Sequence, residues 1–477
     1  MSPSFFFYDL ETSGLSPSSD RIMQFAGQRT TLDLKPIAQP INTLIKLPAD
    51  VLPSPDAVLL TGITPQKTLK KGISEVAFLE KFYSEIALKN TIFIGFNNIR
   101  FDDEFIRQLN YRNFYDAYAW AWSDNRSRWD VLDLVRLTRA LRPANINWPS
   151  QDHKPVNKLQ ELTKANKLAH SKAHDALSDV MATIAVADMI KHNQPKLFEY
   201  LFNLRSKAMV KDFIKKNQIF VYTSSHYPSE LLNTTLVTEL IEHPKMDASL
   251  VYNLRIDPKP FLDMSAEALA AAWLYKPNQL QNLQLPVKTL RHNRAPALAP
   301  LSVIDQFALS RLQLDLQQIN TNLKVIKKHL KHFNENLIEA INILDATRQD
   351  KQVELSLNVD NSLYEGGFIG DQDRSLFPLI HQAKPKELNS FLTSFSDNRL
   401  RQLLPLYKAR NYPESLSQSE LQSWQNYYLT KLNYGAKSSP HKLFQARLNE
   451  LYEQTSSAKQ IAILDELKAY LKMIHLI

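Results

Sequence analysis

The sequence contains no cysteine, little glycine and no long apolar run. The absence of cysteine excludes disulfides, thiolate zinc sites and cysteine nucleophiles, and it fits a reducing cytoplasm. Glycine accounts for 9 of 477 residues, about 2% against a usual 7%, which disfavours an all-β fold built on glycine turns. The N-terminal apolar run stops at Asp9, too short for a signal peptide, and no segment reaches about 18 uninterrupted apolar residues. We therefore expect a helix-rich cytoplasmic protein with no membrane span.

The composition is that of a globular protein, and the net charge is positive. Hydrophobic residues make up 44% and charged residues 22% of the chain, which excludes fibres and low-complexity tails. A length of 477 residues corresponds to about three domains. Lysine and arginine exceed aspartate and glutamate by 57 − 49 = 8, which favours contact with polyanions, although a merely basic enzyme is equally compatible.

Hydrophobic periodicity predicts a mixed α/β layer fold at the start of the chain. Strands are predicted over residues 4–10, 22–32, 41–47 and 91–96, and helices near 74–88, 102–110, 129–141, 157–168 and 175–191. Asn193-Gln194-Pro195 should end the last of these helices, so we place a domain boundary near residue 195.

The rest of the chain changes from irregular to helical. Strand-like pieces at 218–223 and 248–253 lie in an irregular middle region, and a helix with a buried stripe begins at Leu323. A break at 358–373 precedes a final helical stretch. These shifts divide the chain into three predicted domains, residues 1–194, 195–350 and 351–477.

Two carboxylates end the first predicted strand. Asp9 and Glu11 are two residues apart, so they point to the same face of the strand, near the carboxyl edge where α/β sites form. There they could share a hard cation. On this pattern alone, a solvated strand end is the more common explanation.

Two further acidic segments begin predicted helices. Asp102 and Asp103 follow the fourth predicted strand, and Asp175 and Asp179 follow His174 at the start of a long helix. Acidic residues in a first helical turn are ordinarily caps or partners of the helix dipole, which is the simpler interpretation of each segment taken singly.

Together the three motifs resemble the DEDDh exonucleases, a family with a ribonuclease-H-like fold, in the order of that family. Asp9 and Glu11 match the first motif, Asp102 the second, and His174 with Asp179 the third; the segment Thr61-Gly62-Ile63-Thr64-Pro65 is similar to the loop after the third strand. Only this register selects Asp102 and Asp179 over Asp103 and Asp175.

The resemblance implies a two-metal phosphodiesterase. Two Mg²⁺ ions, which Mn²⁺ could replace, would be held by the four matching carboxylates, and His174 would be the general base. The chemistry suits these residue types, because magnesium prefers oxygen ligands and an imidazole with a pKa near 6.5 accepts a proton at neutral pH.

Arginine and aromatic residues are interleaved between Arg100 and Trp148, a stretch with eight arginines and no lysine. This mixture suits single-stranded nucleic acid, whose bases stack on aromatic rings and whose phosphates bind guanidinium groups. An aromatic core with a charged rim is the alternative. The predicted substrate contacts are Glu11, Arg107, Tyr118, Trp122, Arg136 and Lys158.

The whole chain resembles the exonuclease I branch of the family, through segments such as Tyr111–Asp116 and, late in the chain, Tyr407–Pro413. The resemblance implies an SH3-like domain and an all-helical C-terminal domain after the exonuclease domain. It implies a monomer that degrades single-stranded DNA from the 3′ end to 5′-mononucleotides in DNA repair and recombination, and that binds the acidic tail of single-stranded-DNA-binding protein. An RNA-trimming 3′→5′ exoribonuclease and a catalytically inactive single-strand-binding scaffold are the alternatives.

Overall fold

The computed structural model describes residues 2–170, 174–274, 284–353, 358–435 and 438–476. The described strands are β1 (Ser4–Thr12), β2 (Ile22–Thr30), β3 (Ile41–Leu44), β4 (Thr91–Gly95), β5 (Ser127–Asp130), β6 (Ser150–Gln151), β7 (Lys154–Pro155), β8 (Phe220–Thr223), β9 (Thr234–Glu242), β10 (Ala248–Asn253), β11 (Val287–Arg291) and β12 (Ala297–Pro300).

Helices account for most of the remaining elements. The described α-helices are α1 (Pro55–Thr61), α2 (Pro65–Lys71), α3 (Glu75–Lys81), α4 (Asp102–Arg112), α5 (Val131–Leu141), α6 (Leu159–Ala165), α7 (Ala176–Asn193), α8 (Pro195–Leu204), α9 (Lys207–Lys216), α10 (Lys259–Leu262), α11 (Ala266–Leu274), α12 (Gln306–Arg311), α13 (Leu316–Val353), α14 (Asp371–Arg374), α15 (Phe377–Gln382), α16 (Asn398–Asn411), α17 (Gln418–Asn433), α18 (Pro440–Gln454) and α19 (Ala458–Met473). Among them, no helix has both the length and the apolar character that crossing a bilayer requires.

The chain divides into two compact units, of which the first comprises Met1–Arg126, Ser171–Met181 and Ser356–Ile477. Its strands have the order β3-β2-β1-β4, with β1 antiparallel to β2 and parallel to β4. The parallel pairing ends at Phe7 and Ile94, so the chain leaves β1 and β4 at the same edge of the sheet. Residues that follow the two strands therefore come close together there.

A glycine permits the close turn between β4 and α4. A Cβ added to Gly95 would lie 2.7 Å from the Asn98 Cβ and 2.9 Å from the backbone oxygen of Tyr8. No side chain larger than hydrogen fits these contacts without a shift. The turn therefore packs directly on β1 and delivers the first residue of α4 beside the end of that strand.

Three hydrophobic clusters lie in the described part of the first unit, and two of them include residues of the N-terminal sheet. One lies under the sheet and includes Phe6, Tyr8, Leu10, Phe93 and Trp120. The other joins the N-terminal region to the C-terminal helices, with Met23 and Phe114 packed among residues such as Leu403 and Tyr407 of α16. The alternation along β1 sends Tyr8 and Leu10 into the first cluster, so Asp9 and Glu11 project from the other face.

The second unit comprises Ser127–His170 and Ala182–Leu355. Its main sheet is antiparallel, with the order β11-β10-β9-β8-β12. The long helix α13 packs against α11 and β9, and the Asn322 side-chain amide donates to the Leu254 backbone oxygen at 2.9 Å. The stripe predicted from Leu323 is buried except at Leu330, which is half-buried, and the four lysines from Lys324 to Lys331 are exposed.

The predicted elements agree with the structure in kind, and their ends differ by a few residues. The helix predicted over 74–88 is α3 followed by a π-helical segment, Phe82–Ile86, and the segment predicted to begin a helix at residue 129 starts with β5. The strand β9 was not predicted. It lies in the middle region, where buried residues follow one another without alternation.

Candidate active site

Three carboxylates meet at the edge of the sheet in the first unit. Asp9 and Glu11 come from β1, and Asp179 comes from the first turn of α7. One carboxylate oxygen from each residue lies within 4.8 Å of the other two. Among the described residues, this is the only set of three or more histidine, aspartate or glutamate side chains with such spacing. A divalent cation binds oxygen donors gathered in this way.

Burial and mutual repulsion raise the pKa values of the Asp9 and Glu11 carboxyl groups. Burial is the largest cause of a Glu11 pKa of about 8, followed by the charges of Asp179 and Asp175. Burial also raises the pKa of Asp9 well above its usual range, with further contributions from Asp102, Glu11 and Asp179. A cation would relieve this repulsion, so the donor set fits a hard divalent metal ion.

We predict that metal-free protein loses stability as the pH rises from about 5 to 8. A glutamate in the unfolded chain loses its proton near pH 4.3, whereas folded Glu11 keeps it until about pH 8, so the folded state binds more protons across this range. The stabilisation is complete below the unfolded pKa and is lost as the pH passes the folded pKa. In thermal denaturation with EDTA, each kcal/mol lost lowers the melting temperature by roughly 1 to 2 °C for a chain of this length.

Adding Mg²⁺ at pH 8 should restore the lost melting temperature, because the ion replaces the proton among the carboxylates. The Glu11→Gln variant is the control, since its side chain does not titrate and its pH dependence should be shallower. A melting temperature at pH 8 that does not respond to Mg²⁺ would contradict the assignment of the cluster as a metal site.

The structure distinguishes the two aspartates that begin α4. Asp102 is buried, and of the neighbouring charges it acts most strongly on Asp9. The carboxylate of Asp103 instead accepts a hydrogen bond from the Tyr8 hydroxyl, and the Asn98 side-chain amide lies 3.5 Å from it. Asp102 is thus the member of the pair whose charge acts on Asp9, although it is not one of the three carboxylates whose oxygens converge within 4.8 Å.

The segment before α7 presents a similar choice between Asp175 and Asp179. Asp175 Oδ1 accepts from the Ser178 backbone N–H at 3.2 Å, a capping contact in the first helical turn. Asp179 Oδ2 accepts from the His174 backbone N–H at 3.2 Å, and His174 has a φ of 62°. Non-glycine residues rarely adopt this conformation, which here places His174 beside the third carboxylate.

A groove of about 840 Å³ adjoins the carboxylate cluster within the first unit. Its lining residues include Glu11, Thr12 and Phe101, together with Phe444 and Arg447 of α18. Its walls are predominantly apolar. Clefts of this size and character accommodate ligands as large as a nucleotide.

The predicted DNA contacts have different surroundings. Arg107 forms an ion pair with Glu104, and its guanidinium carbon lies 6.0 Å from the centre of the Tyr118 ring. Trp122 is 65% exposed. In the second unit, Arg136 donates to Asp133 at 2.9 Å, and Lys158 is the exposed residue before α6. Contact of these residues with DNA stays a prediction.

We predict that Trp122→Ala weakens binding of single-stranded DNA by about 5- to 150-fold, because a base stacked on an aromatic side chain contributes roughly 1 to 3 kcal/mol. Fluorescence anisotropy with a labelled oligonucleotide in EDTA measures this change without cleavage. Trp424→Phe, in the second cluster of the first unit, is the matched control and should leave DNA affinity unchanged. Equal affinities for wild-type protein and Trp122→Ala would remove Trp122 from the contact set.

Sequence comparisons identify the class of enzyme and then the family. Residues 6–187 match the family model for an exonuclease, residues 205–342 that of the exonuclease I SH3-like domain, and residues 357–474 that of the exonuclease I C-terminal domain. Exodeoxyribonuclease I of Escherichia coli K12 is 38% identical over 425 residues, covering 88% of each chain. Exodeoxyribonuclease I of Haemophilus influenzae is 36% identical over 475 residues, covering 98% of each. The chain belongs to the exonuclease I family.

Solved structures match the chain over nearly its full length. E. coli exonuclease I in complex with a dA16 oligonucleotide has a TM-score of 0.91 and 35% identity, covering 99% of this chain and 100% of that one. A zinc-bound E. coli exonuclease I–single-stranded DNA complex has a TM-score of 0.91 and 34% identity, covering 100% of each chain. A complex described as ExoI/SSB-Ct has a TM-score of 0.90 and 35% identity, covering 99% and 100%. The ribonuclease-H-like, SH3-like and helical parts of the predicted fold class are therefore confirmed.

Proposed function

We propose that this protein is a 3′→5′ exodeoxyribonuclease that removes 5′-mononucleotides from single-stranded DNA and uses two Mg²⁺ ions per site. The observation that carries the proposal is the convergence of Asp9, Glu11 and Asp179 oxygens within 4.8 Å in a chain that belongs to the exonuclease I family. Mn²⁺ should replace Mg²⁺, because it accepts the same oxygen ligands.

The side chains have separable tasks in the proposed reaction. Asp9, Glu11, Asp102 and Asp179 would hold the ions. Bound divalent ions would supply stabilisation of the negative charge that develops on the leaving oxygen. An imidazole nitrogen of His174 would accept the proton of the attacking water, whose oxygen forms the new bond to phosphorus. The bond from phosphorus to the 3′ oxygen of the preceding nucleotide breaks, which releases a 5′-mononucleotide and leaves a 3′-hydroxyl on the shortened strand.

The partners and cellular role follow from the same family. Relatives have been solved with single-stranded DNA and in an ExoI/SSB-Ct complex, and we extend both partners to this chain, including the acidic tail of single-stranded-DNA-binding protein. The role would be in DNA repair and recombination. The same proposal includes three further points. The protein would be a monomer, it would have a cytoplasmic location, which the cysteine-free sequence supports, and its domain limits would be at 194/195 and 350/351.

Digestion of end-labelled oligonucleotides of matched sequence tests the proposal. A 5′-labelled DNA strand should give a ladder that shortens from the 3′ end, and a 3′-labelled strand should release labelled mononucleotide at once. EDTA should stop both reactions, and Mg²⁺ should restart them.

The two alternatives give different results in the same assay. Cleavage of RNA as fast as DNA would indicate an exoribonuclease, because the 2′-hydroxyl is the main difference between the matched strands. Binding of DNA without cleavage in the presence of Mg²⁺ would indicate a scaffold. We expect neither result, since a pure binder gains nothing from concentrating carboxylates where phosphate must lie.

A further inference from the structure

Tyr8 links the strand that carries Asp9 to the helix that begins with Asp102. Its ring packs in the core against Phe25 and Phe93, with ring centroids 6.0 and 6.1 Å away. Its hydroxyl donates a hydrogen bond to Oδ1 of Asp103 in the first turn of α4. Tyr8 is 3% and Asp103 0% exposed. A hydrogen bond from a hydroxyl to a buried carboxylate is strong and fixes direction as well as distance.

The acceptor of this hydrogen bond is itself held in place. The backbone N–H of Asp103 donates to the Asn98 backbone oxygen at 2.9 Å, and the Asn98 amide lies 3.5 Å from the Asp103 carboxylate. The turn that contains Asn98 packs on the backbone of Tyr8 through Gly95. The Tyr8 hydroxyl therefore connects two parts of the site that the backbone already brings together.

We propose that Tyr8 and Asp103 are a positioning pair that sets the placement of Asp102 relative to Asp9 and thereby the affinity of the carboxylate cluster for divalent cations. Tyr8 precedes Asp9 and Asp103 follows Asp102, so each member of the pair adjoins one proposed ligand in the chain. Because successive strand residues point to opposite faces, the pair acts from the core side while Asp9 faces the cluster. This inference rests on the proposed metal-dependent function.

The variant Tyr8→Phe removes the hydroxyl and keeps the ring. We expect the dissociation constant for Mn²⁺, measured by isothermal titration calorimetry without DNA, to rise about 10-fold, because partners behind metal ligands change metal affinity by about 10- to 100-fold. The Mn²⁺ concentration for half-maximal cleavage should rise by the same factor. Turnover at saturating Mn²⁺ should change much less, since no group that touches the substrate has been altered.

Tyr83→Phe is the matched control. The Tyr83 hydroxyl donates to Oδ1 of Asn110 at 2.5 Å, so it fixes the other end of the same helix. This variant should lose thermal stability to a similar extent and keep the wild-type dissociation constant for Mn²⁺. A comparable rise in both variants would show that Tyr8 supports the fold in general, and would overturn the positioning role.

A double-mutant cycle tests whether Tyr8 acts through Asp103. Once Asp103→Ala has removed the acceptor, adding Tyr8→Phe should weaken Mn²⁺ binding no further. An unchanged Mn²⁺ affinity in Tyr8→Phe overturns the inference, even if wild-type protein binds Mn²⁺ and cuts DNA. A wild-type protein that binds no Mn²⁺ overturns the inference together with the metal site on which it rests.

Discussion

Replacing Asp9 by asparagine is expected to reduce cleavage of single-stranded DNA at least about 1000-fold. The metal ions contribute several kcal/mol of charge stabilisation, and each 1.36 kcal/mol corresponds to a tenfold change in rate. Asp9 is the carboxylate on which burial, Asp102, Glu11 and Asp179 all act. A neutral side chain of the same shape there would remove a central ligand of the proposed metal site without leaving a cavity.

The same substitution should stabilise the metal-free protein by about 0.5 to 2 kcal/mol, the range typical when a strained functional group is replaced. The neutral amide would relieve the repulsion that Asp102, Glu11 and Asp179 exert on the buried Asp9 carboxylate. Initial rates in Mg²⁺ and thermal denaturation in EDTA measure the two effects separately. Lost activity accompanied by lost stability would indicate a folding defect and would contradict this account.

Two further variants complete this experiment. His174→Ala should lower the rate by about 10²- to 10⁴-fold, the usual contribution of a general base, with metal affinity retained. Asp188→Asn, which removes an exposed carboxylate later in α7, controls for loss of charge and should cut at the wild-type rate. Full activity in either Asp9→Asn or His174→Ala would reject the assigned role of that residue.

The order of elements around the carboxylate cluster could be predicted because it depends on local pattern. The apolar run before Asp9 indicates a strand, and period-two alternation alone places Asp9 and Glu11 on one face. The end of the helix α7 at Asn193 was predicted from Pro195, whose ring disfavours helix in the preceding residue. Strand alternation and the effect of proline on the preceding residue depend only on residues close in sequence, so both features could be predicted without the structure.

The choice between adjacent aspartates could not be made in this way. Asp102 and Asp103 differ in their surroundings because the Tyr8 hydroxyl, 95 residues away in sequence, donates a hydrogen bond to the second of them. Alternation does predict that Tyr8 points into the core, but it does not say which polar atom the hydroxyl meets there. Only the family register selected Asp102 in advance, and the hydrogen bond from Tyr8 to Asp103 was not predicted.

Several tryptophan and arginine residues of the stretch between Arg100 and Trp148 pack inside the fold. Trp120 is buried in the first cluster, and Trp129 is buried against Phe198 and Phe202. Arg126 donates to the Ala87 backbone oxygen at 2.7 Å. Guanidinium groups are as well suited to buried carbonyl groups as to phosphates, so composition alone did not separate a DNA surface from an aromatic core.

A buried ion cluster in the first unit provides the second large expected effect. It consists of Arg21, Asp50, Asp360, Arg410 and Lys431. Arg410 Nη2 lies 2.6 Å from Asp50 Oδ2 and 2.7 Å from Asp360 Oδ2, and both aspartate side chains are fully buried. Burial would raise the pKa of Asp360, but Arg410, Arg21 and Lys431 outweigh it and hold that pKa well below the usual range.

Asp360→Ala is expected to destabilise the first unit by about 3 to 5 kcal/mol, because it leaves Arg21 and Arg410 buried with one counter-ion fewer. Urea unfolding followed by far-UV circular dichroism measures the loss. The control is Asp56→Ala, which breaks an exposed pair with Arg447 at 2.7 Å in the same unit. Exposed ion pairs contribute little to stability, so the control should unfold near the wild-type midpoint.

The pH dependence provides an independent test of the cluster. A carboxyl group whose folded pKa is depressed stabilises the protein above its unfolded pKa near 3.9, and this stabilisation is lost as the pH falls through the folded pKa. Wild-type protein should therefore lose stability steeply below about pH 4, and Asp360→Ala should lose less over the same range because one of the responsible groups is gone. Parallel acid-unfolding curves for the two proteins would show that Asp360 is not an ionised partner of the arginines.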